Sequence, residues 1–306
     1  MNTLWKGRLA TIIGAASWGL SGVCGQYLMQ TAHIAPLTII SIRMLVTGLI
    51  LTAYLIGRHF HKIRAFCRDK VAIFQLVVFA LFGISFCQVS YLLAIQASNA
   101  GTATVLQYLS PVLVIGYFSL AKRHRPSKRL LLAISLAIGG TFLIATHGQF
   151  NQLALTPAGL WLGLFSAVGY ALYTVLPEQL MRQWGSSLVT ALGLLIGGVS
   201  LFIANRSWQD QIDWTPMTLA AFAGMIVVGT LVAYSLFLYG VAQIGAVEAS
   251  LLAASEPVSA VIFAALLMHE AFYLMDLVGM GLIILAVGLI SLQGQSGPND
   301  AQALEI

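Results

Sequence analysis

VAIFQLVVFALFGISFCQVSYLLAI, residues 71–95, runs for 25 positions without a charged side chain. A helix rises about 1.5 Å per residue, so about 20 apolar residues cross the ~30 Å hydrocarbon layer of a bilayer. This stretch is long enough. Its apolar residues are continuous rather than alternating at period two, which argues for a helix and against a membrane barrel strand. Comparable runs occupy 9–28, 160–176, 219–241 and 274–292. The whole composition agrees: of 306 residues, 59% are hydrophobic and 8% charged, with mean hydropathy +0.89. Soluble domains carry about 25% charged residues, so this chain lacks the charge to cover a water-facing surface. It reads as an all-α integral membrane protein.

Hydropathy and turn residues predict ten helices, at 8–29, 36–57, 71–95, 99–120, 128–146, 158–177, 187–204, 216–240, 246–267 and 275–293. The first is read as a retained helix, not a cleaved signal, because no small-residue cleavage site follows it. With the N-terminus inside, 13 of the 15 Lys and Arg fall on the inner side: Lys6, Arg8, five in 58–70, five in 122–129, and Arg182. Arg206 alone lies outside, and Arg43 lies within the second helix. This is the positive-inside asymmetry, and it predicts that both termini are cytoplasmic. The basic segments 58–70 and 122–129 are read as loops that set orientation and touch lipid headgroups; they offer no element for nucleic acid. Residues 294–306 are polar and read as a disordered cytoplasmic tail. Trp5, Trp184, Trp208 and Trp214, near span ends, read as interfacial anchors.

The second half echoes the first. Shifted by 146, residues 83–111 fall without gaps on 229–257, pairing Gly83 with Gly229, Ala103 with Ala249, Leu106 with Leu252 and Pro111 with Pro257; a shift of 150 pairs Gly19 with Gly169 and Gly48 with Gly198. Five helices per half is an odd number, so the second half must enter the membrane upside down. The expected organisation is two inverted five-helix repeats, 1–147 and 157–293. Secondary transporters are built this way, with the substrate site near the midplane between the repeats.

Polar groups inside the spans mark the candidate site. Arg43 is a costly residue to place in lipid; it clamps an anionic group, or it bridges to Glu256 or to helix-end carbonyls. Glu256, before the helix-bending Pro257, binds an amine or carries a coupling proton, or it stays buried and paired. Gln107 and Tyr108 belong to a polar face of helix 4, Gln88 and Tyr91 to one of helix 3, and Gln88 is the repeat equivalent of Tyr234. With Trp18 and Tyr170 these nine residues (Trp18, Arg43, Gln88, Tyr91, Gln107, Tyr108, Tyr170, Tyr234 and Glu256) are the expected substrate-binding set, and Pro111 and Pro257 the expected paired hinges. Interhelical hydrogen bonding and packing are the competing reading for each residue singly. The three cysteines, Cys24, Cys67 and Cys87, have no metal or redox spacing, and no nucleotide cradle or metal-ligand motif occurs. No metal and no cofactor is expected.

Several stretches are similar to the EamA branch of the drug/metabolite transporter superfamily over essentially the whole chain: Ser17-Trp18-Gly19, Arg43, Ser98-Asn99-Ala100, Leu109-Ser110-Pro111, Glu256-Pro257-Val258 and His269-Glu270. Residues 102–111, TATVLQYLSP, resemble in particular the YicL-type bacterial inner-membrane proteins. Many members carry an acidic residue after helix 4; here Lys122-Arg123-His124 stands instead. The resemblance implies ten helices, a bacterial inner-membrane location and export of amino acids or related metabolites, by a monomer or homodimer in contact with lipid. Two alternatives remain open: an uptake carrier for choline-like quaternary amines, and an intramembrane lipid-modifying enzyme.

Overall fold

The computed structural model describes residues 3–110, 113, 128–147, 155–244, 249, 252–253 and 255–293. Pro111, most of the 122–129 segment and the 294–306 tail lie outside these. The described residues form helices and no strand. Helix α1 spans Thr3–Gln30, α2 Pro36–Phe66 and α3 Lys70–Ala97; Ala100–Gln107 begins α4; α5 is Lys128–Thr146 and α6 Pro157–Val175, followed by a short helical segment Glu178–Trp184. Then come α7, Ser186–Ala204; α8, which runs through Pro216–Ala223, Gly224–Val232 and Ala233–Ile244; α9, Ser255–Met268; and α10, Leu274–Gln293. Five helices in this described set are long and apolar enough to cross a membrane, and large apolar side chains such as Phe74 and Leu274 stand outward, where lipid is their natural solvent.

Local chemistry sets the ends. Asp69 accepts from the amides of Val71 and Ala72 at 3.0 Å, Asn99 from Thr102 at 2.8 Å, Thr156 from Gly159 at 3.1 Å and Thr215 from Thr218 at 3.1 Å. Each satisfies an amide at the start of a helix. Asp69 and Thr215 coincide under the 146-residue shift.

Two boundaries differ from expectation. The segment 58–70 is not a loop: α2 continues to Phe66, bending at His59 (φ −138°, ψ 36°). The basic residues Arg58, Lys62 and Arg64 therefore ride on a helical extension, since Arg and Lys are good helix formers and the helix need not end where the apolar run ends. Trp184 is not an exposed anchor. It stacks edge-on against the buried Phe66 (centroids 5.2 Å apart), whereas Trp5, Trp208 and Trp214 are more than half exposed.

The packing has an internal correspondence. Helix α2 packs on α7 and α5 on α10; α1 packs on α8 and α9, as α6 packs on α3 and α4; α3 meets α7 as α8 meets α2. Adding five to a helix number, or subtracting it, turns each of these pairings into another of them or, for α2 with α7 and α5 with α10, into itself. The crossings repeat this pattern atom by atom. A Cβ on Gly48 would stand 2.5 Å from the Leu195 amide nitrogen, and one on Gly198 would stand 2.4 Å from that of Leu45. Gly140 and Gly279 each approach the other's carbonyl oxygen, at 2.5 and 2.6 Å from the Cβ position. Only glycine permits such backbone contact.

Helices α3 and α8 also share a feature that the sequence pattern did not predict. Each widens to π-helical turns, over Phe79–Ser85 and Gly224–Val232. In each, a hydroxyl donates to the carbonyl five residues back: Ser85 to Ala80 at 2.7 Å and Thr230 to Met225 at 3.1 Å. Such turns recur at functional sites.

At the end of the bundle away from the basic segments, two polar clusters tie the helices together. Gln26, fully buried, donates to Glu270 (2.7 Å) and Gln30 (3.2 Å) and accepts from the Ala100 amide (2.8 Å). Thr38 donates to Asp210 and accepts from Asn205 (3.0 Å), which also donates to Ser207; Ser207 meets Ser41 at 2.9 Å.

The glycine crossings can be tested. Gly48→Leu or Gly198→Leu should destabilise the detergent-solubilised protein by about 1–3 kcal/mol, the usual cost of overpacking. Gly57→Leu should stay within about 0.5 kcal/mol, because nothing lies within 4 Å of its Cβ position. Thermal unfolding of the three variants checks this.

Candidate functional site

A cavity of about 600 Å³ lies between the helices, within the range that holds small organic ligands. All nine residues of the expected binding set line it: Trp18 from α1, Arg43 from α2, Gln88 and Tyr91 from α3, Gln107 and Tyr108 from α4, Tyr170 from α6, Tyr234 from α8, and Glu256 from α9. Of the expected hinges, Pro257 is buried in the first described turn of α9, and Pro111 lies outside the described residues.

The wide turns aim the side chains. Gln88 follows the π-helical stretch of α3 and Tyr234 that of α8, and these two positions, related by the 146-residue shift, line the same cavity. Gly22 lets the Tyr91 hydroxyl lie against α1, 2.7 Å from the position of a Cβ. That hydroxyl pairs with Thr104 at 2.7 Å, and Thr104 donates to the Ala100 carbonyl at 2.7 Å. Tyr91 therefore donates, and its ring is held. Trp18 meets Tyr234 edge-on at 5.3 Å and Phe237 at 5.2 Å, giving the cavity an aromatic wall.

Proline chemistry explains the Glu256 corner. Pro257 has no N–H, so the carbonyl of Ala253, four residues earlier, loses its helical donor. The Tyr108 hydroxyl donates to that carbonyl at 2.8 Å and also lies 3.0 Å from Glu256 Oε2. Ser259 donates to the Glu256 carbonyl at 2.8 Å. The carboxyl group is thus fixed between a proline break and a tyrosine.

Arg43 is different. Its side chain lines the cavity, and among the described residues it has neither a carboxylate within ion-pair distance nor a hydrogen-bonded carbonyl. The expected alternatives of a bridge to Glu256 or to helix-end carbonyls are not found in the described residues. Arg43 thus brings a guanidinium to the cavity wall with no ion pair among the described residues.

Some lining residues were not in the expected set: Ser21, Cys87, Tyr173, Pro177, Met181 and Phe237. Tyr173 stands three positions after Tyr170, a helical spacing that could have identified it. Pro177 breaks α6 from the Glu178–Trp184 segment, a signal visible in the sequence. The Tyr173 and Tyr234 hydroxyls meet at 3.1 Å. This pair also borders a second cavity, of about 700 Å³, that leads toward the basic end of the bundle past His59 and Lys62.

Comparison with known proteins names the class of this helical bundle. The model of the EamA-like transporter family matches residues 5–146 and again 157–292, so the chain belongs to that family. It is a multi-pass inner-membrane protein of the bacterial type, with the ten-helix transporter fold, and a transporter rather than an enzyme. Among its relatives, the uncharacterized inner membrane transporter YicL of Salmonella typhimurium is 37% identical over 297 residues, covering 96% of this chain and 98% of the relative. The uncharacterized transporter YvbV of Bacillus subtilis is 26% identical, covering 97% of this chain and 95% of its own. A solved crystal structure superposes with TM-score 0.63 at 16% identity, over 94% of this chain and 98% of that one, a likeness of fold.

Two substitutions test the site's energetics. Tyr108→Phe leaves the Ala253 carbonyl without a donor and should destabilise the protein by about 1–3 kcal/mol. Arg43→Met removes an unpaired cation at similar volume, so its melting temperature should equal or exceed that of the parent protein; a clear fall would make Arg43 a structural bridge.

Proposed function

We propose that the protein is a secondary transporter, not driven by ATP, that exports amino acids or related amines by alternating access between two inverted repeats. The observation that carries this reading is the cavity's paired chemistry: an Arg43 guanidinium with no ion pair among the described residues, and a tyrosine-held Glu256 carboxyl group, both lining the same space. A zwitterion offers a carboxylate to the first and an ammonium to the second. Aromatic faces of Trp18, Tyr170 and Tyr234 would flank the ammonium group or an aromatic side chain. An uptake carrier for a quaternary amine would use the same aromatic wall, but it leaves the cavity's free arginine without a purpose.

Three features support the mechanism. The pairing of helices under a shift of five, the reciprocal glycine crossings and the matched wide turns fit two related halves of opposite orientation. The concentration of Lys and Arg at one end fits a cytoplasmic location of that end and of both termini. The second cavity at the basic end, together with polar clusters at the other, fits a conformation open toward the cytoplasm.

Glu256 is the proposed site of a coupling proton. Tyr108 has one hydroxyl proton and two acceptors within reach, the Ala253 carbonyl and the Glu256 carboxyl. When that proton goes to Ala253, Glu256 completes its bond to Tyr108 only by bringing a proton of its own. Binding of an ammonium group would compete with that proton, which is the exchange a proton-coupled exporter requires. Pro257 and Pro111 are the proposed hinges on which the two halves adjust.

Proteoliposomes loaded with radiolabelled amino acids, polyamines or quaternary amines test the proposal. Saturable, ATP-independent flux of unmodified solute is expected, stimulated by a pH gradient. Glu256→Gln should abolish the pH dependence, and Arg43→Gln should reduce amino-acid flux by about tenfold or more, the worth of one charged hydrogen bond. Flux of every solute class unchanged in both variants would overturn the site assignment.

A further inference from the structure

The Gln26 cluster sits one turn beyond the cavity, at the end away from the basic segments. Gly22 lines the cavity, and Gln26 follows it one turn further along α1. On α4, Ala100 stands one turn before Thr104, the partner of Tyr91. The Gln26 side chain is fully buried, and it joins three parts of the chain. Its oxygen accepts from the Ala100 amide at 2.8 Å, and its nitrogen donates to Glu270 at 2.7 Å and to Gln30 at 3.2 Å. The carboxamide thus uses both of its protons and its oxygen. A sharp turn after α9 brings Glu270 to it. His269 stands at φ 57°, left-handed for a residue other than glycine, and the Glu270 amide returns to the Ala264 carbonyl at 3.3 Å.

The second half of the sequence does not repeat this chemistry. The shift of 150 that pairs Gly19 with Gly169 carries Gln26 onto Leu176 and Gln30 onto Leu180. The shift of 146 that pairs Ala103 with Ala249 relates Glu270 to His124. A leucine side chain has no polar atom, so position 176 cannot bridge as Gln26 does. The backbones differ too: α1 stays helical through Gln30, whereas α6 ends at Val175, with Pro177 close behind. Polar bonds tie one end of the bundle, and the cavity of about 700 Å³ lies toward the other.

We propose that the Gln26–Glu270 bond, anchored on the Ala100 amide, is a latch that closes this end of the transport path, and that leucine at the matching position of the second half leaves the basic end without an equivalent, so that the conformation closed here is the resting state. The proposal rests on the alternating-access reading and adds a built-in bias to it. Two identical gates would hold the two conformations at equal free energy. A buried hydrogen bond to a carboxylate, available to one gate alone, favours the conformation that keeps it.

The test reads which face of the membrane reaches the cavity. Cys24, Cys67 and Cys87 are replaced by alanine, and Thr174→Cys, exposed on the cavity wall, is the reporter. A companion protein that keeps only Cys67, exposed at the basic end, marks that face. An impermeant maleimide is applied to sealed vesicles of each orientation. The parent should label from the basic face alone. Gln26→Leu, which installs the residue type of the second half, and Glu270→Ala should each raise the labelling rate from the opposite face by about tenfold or more, the effect of one lost hydrogen bond to a carboxylate. Glu270→Gln, which keeps an accepting oxygen, should stay near the parent, and thermal unfolding checks that each variant is folded. Opposite-face labelling unmoved in both Gln26→Leu and Glu270→Ala overturns the latch alone. Parent labelling at equal rates from both faces overturns the latch together with the alternating-access reading.

Discussion

A carbonyl that loses its helical donor within a bilayer finds no water to replace it. Ala253 is in that position because Pro257 cannot donate, and the Tyr108 hydroxyl takes the missing role across from α4. The wide turns of α3 and α8 also tie hydroxyls to the backbone, Ser85 to the Ala80 carbonyl and Thr230 to that of Met225, which satisfies two polar side chains within the spans. Each of these places adjoins the cavity lining. Tyr108 reaches Glu256, and the turns deliver Gln88 and Tyr234 to the cavity. The polar interior is therefore continuous with the backbone's own needs: the irregularities that would be liabilities in lipid are the places where the cavity is built.

The close crossings of α2 with α7 and of α5 with α10 set the frame on which those irregularities sit. Backbone meets backbone at Gly48 and Gly198, and at Gly140 and Gly279, so the contacts leave little play along these lines. Between them the cavity is lined from α1, α2, α3, α4, α6, α8 and α9. No single helix supplies both charged groups. Arg43 is carried by the glycine-locked α2, whereas Glu256 is carried by α9, held through Tyr108 of α4.

Much of this was legible before any coordinates. Run length and charge distribution marked the helices, since lipid imposes a length and an absence of charge that composition displays directly. The costliness of polar groups in lipid placed nine residues on a shared surface, and they line one cavity. What was hidden is instructive. The extension of α2 through a basic segment read as a loop, because hydropathy ends where the membrane ends, whereas a helix does not. Trp184 read as an interfacial anchor because its position near a span end resembles that of Trp208 and Trp214; its packing on Phe66 depends on the bend at His59, which no local signal announces. The π-helical turns were invisible for the same reason: Ser85 and Thr230 lie in ordinary apolar runs, and only the geometry reveals which carbonyl each one serves.

The pairing of α5 with α10 has a structural consequence. Among the described residues these two helices are bound principally to each other, and Ala133, Ala137, Met280, Ile283 and Ala286 share a buried apolar cluster with Val105, Leu106 and Leu109 of the neighbouring chain segment and Ala167 of α6. Among the described residues the pair is thus a two-helix unit of its own at the side of the bundle.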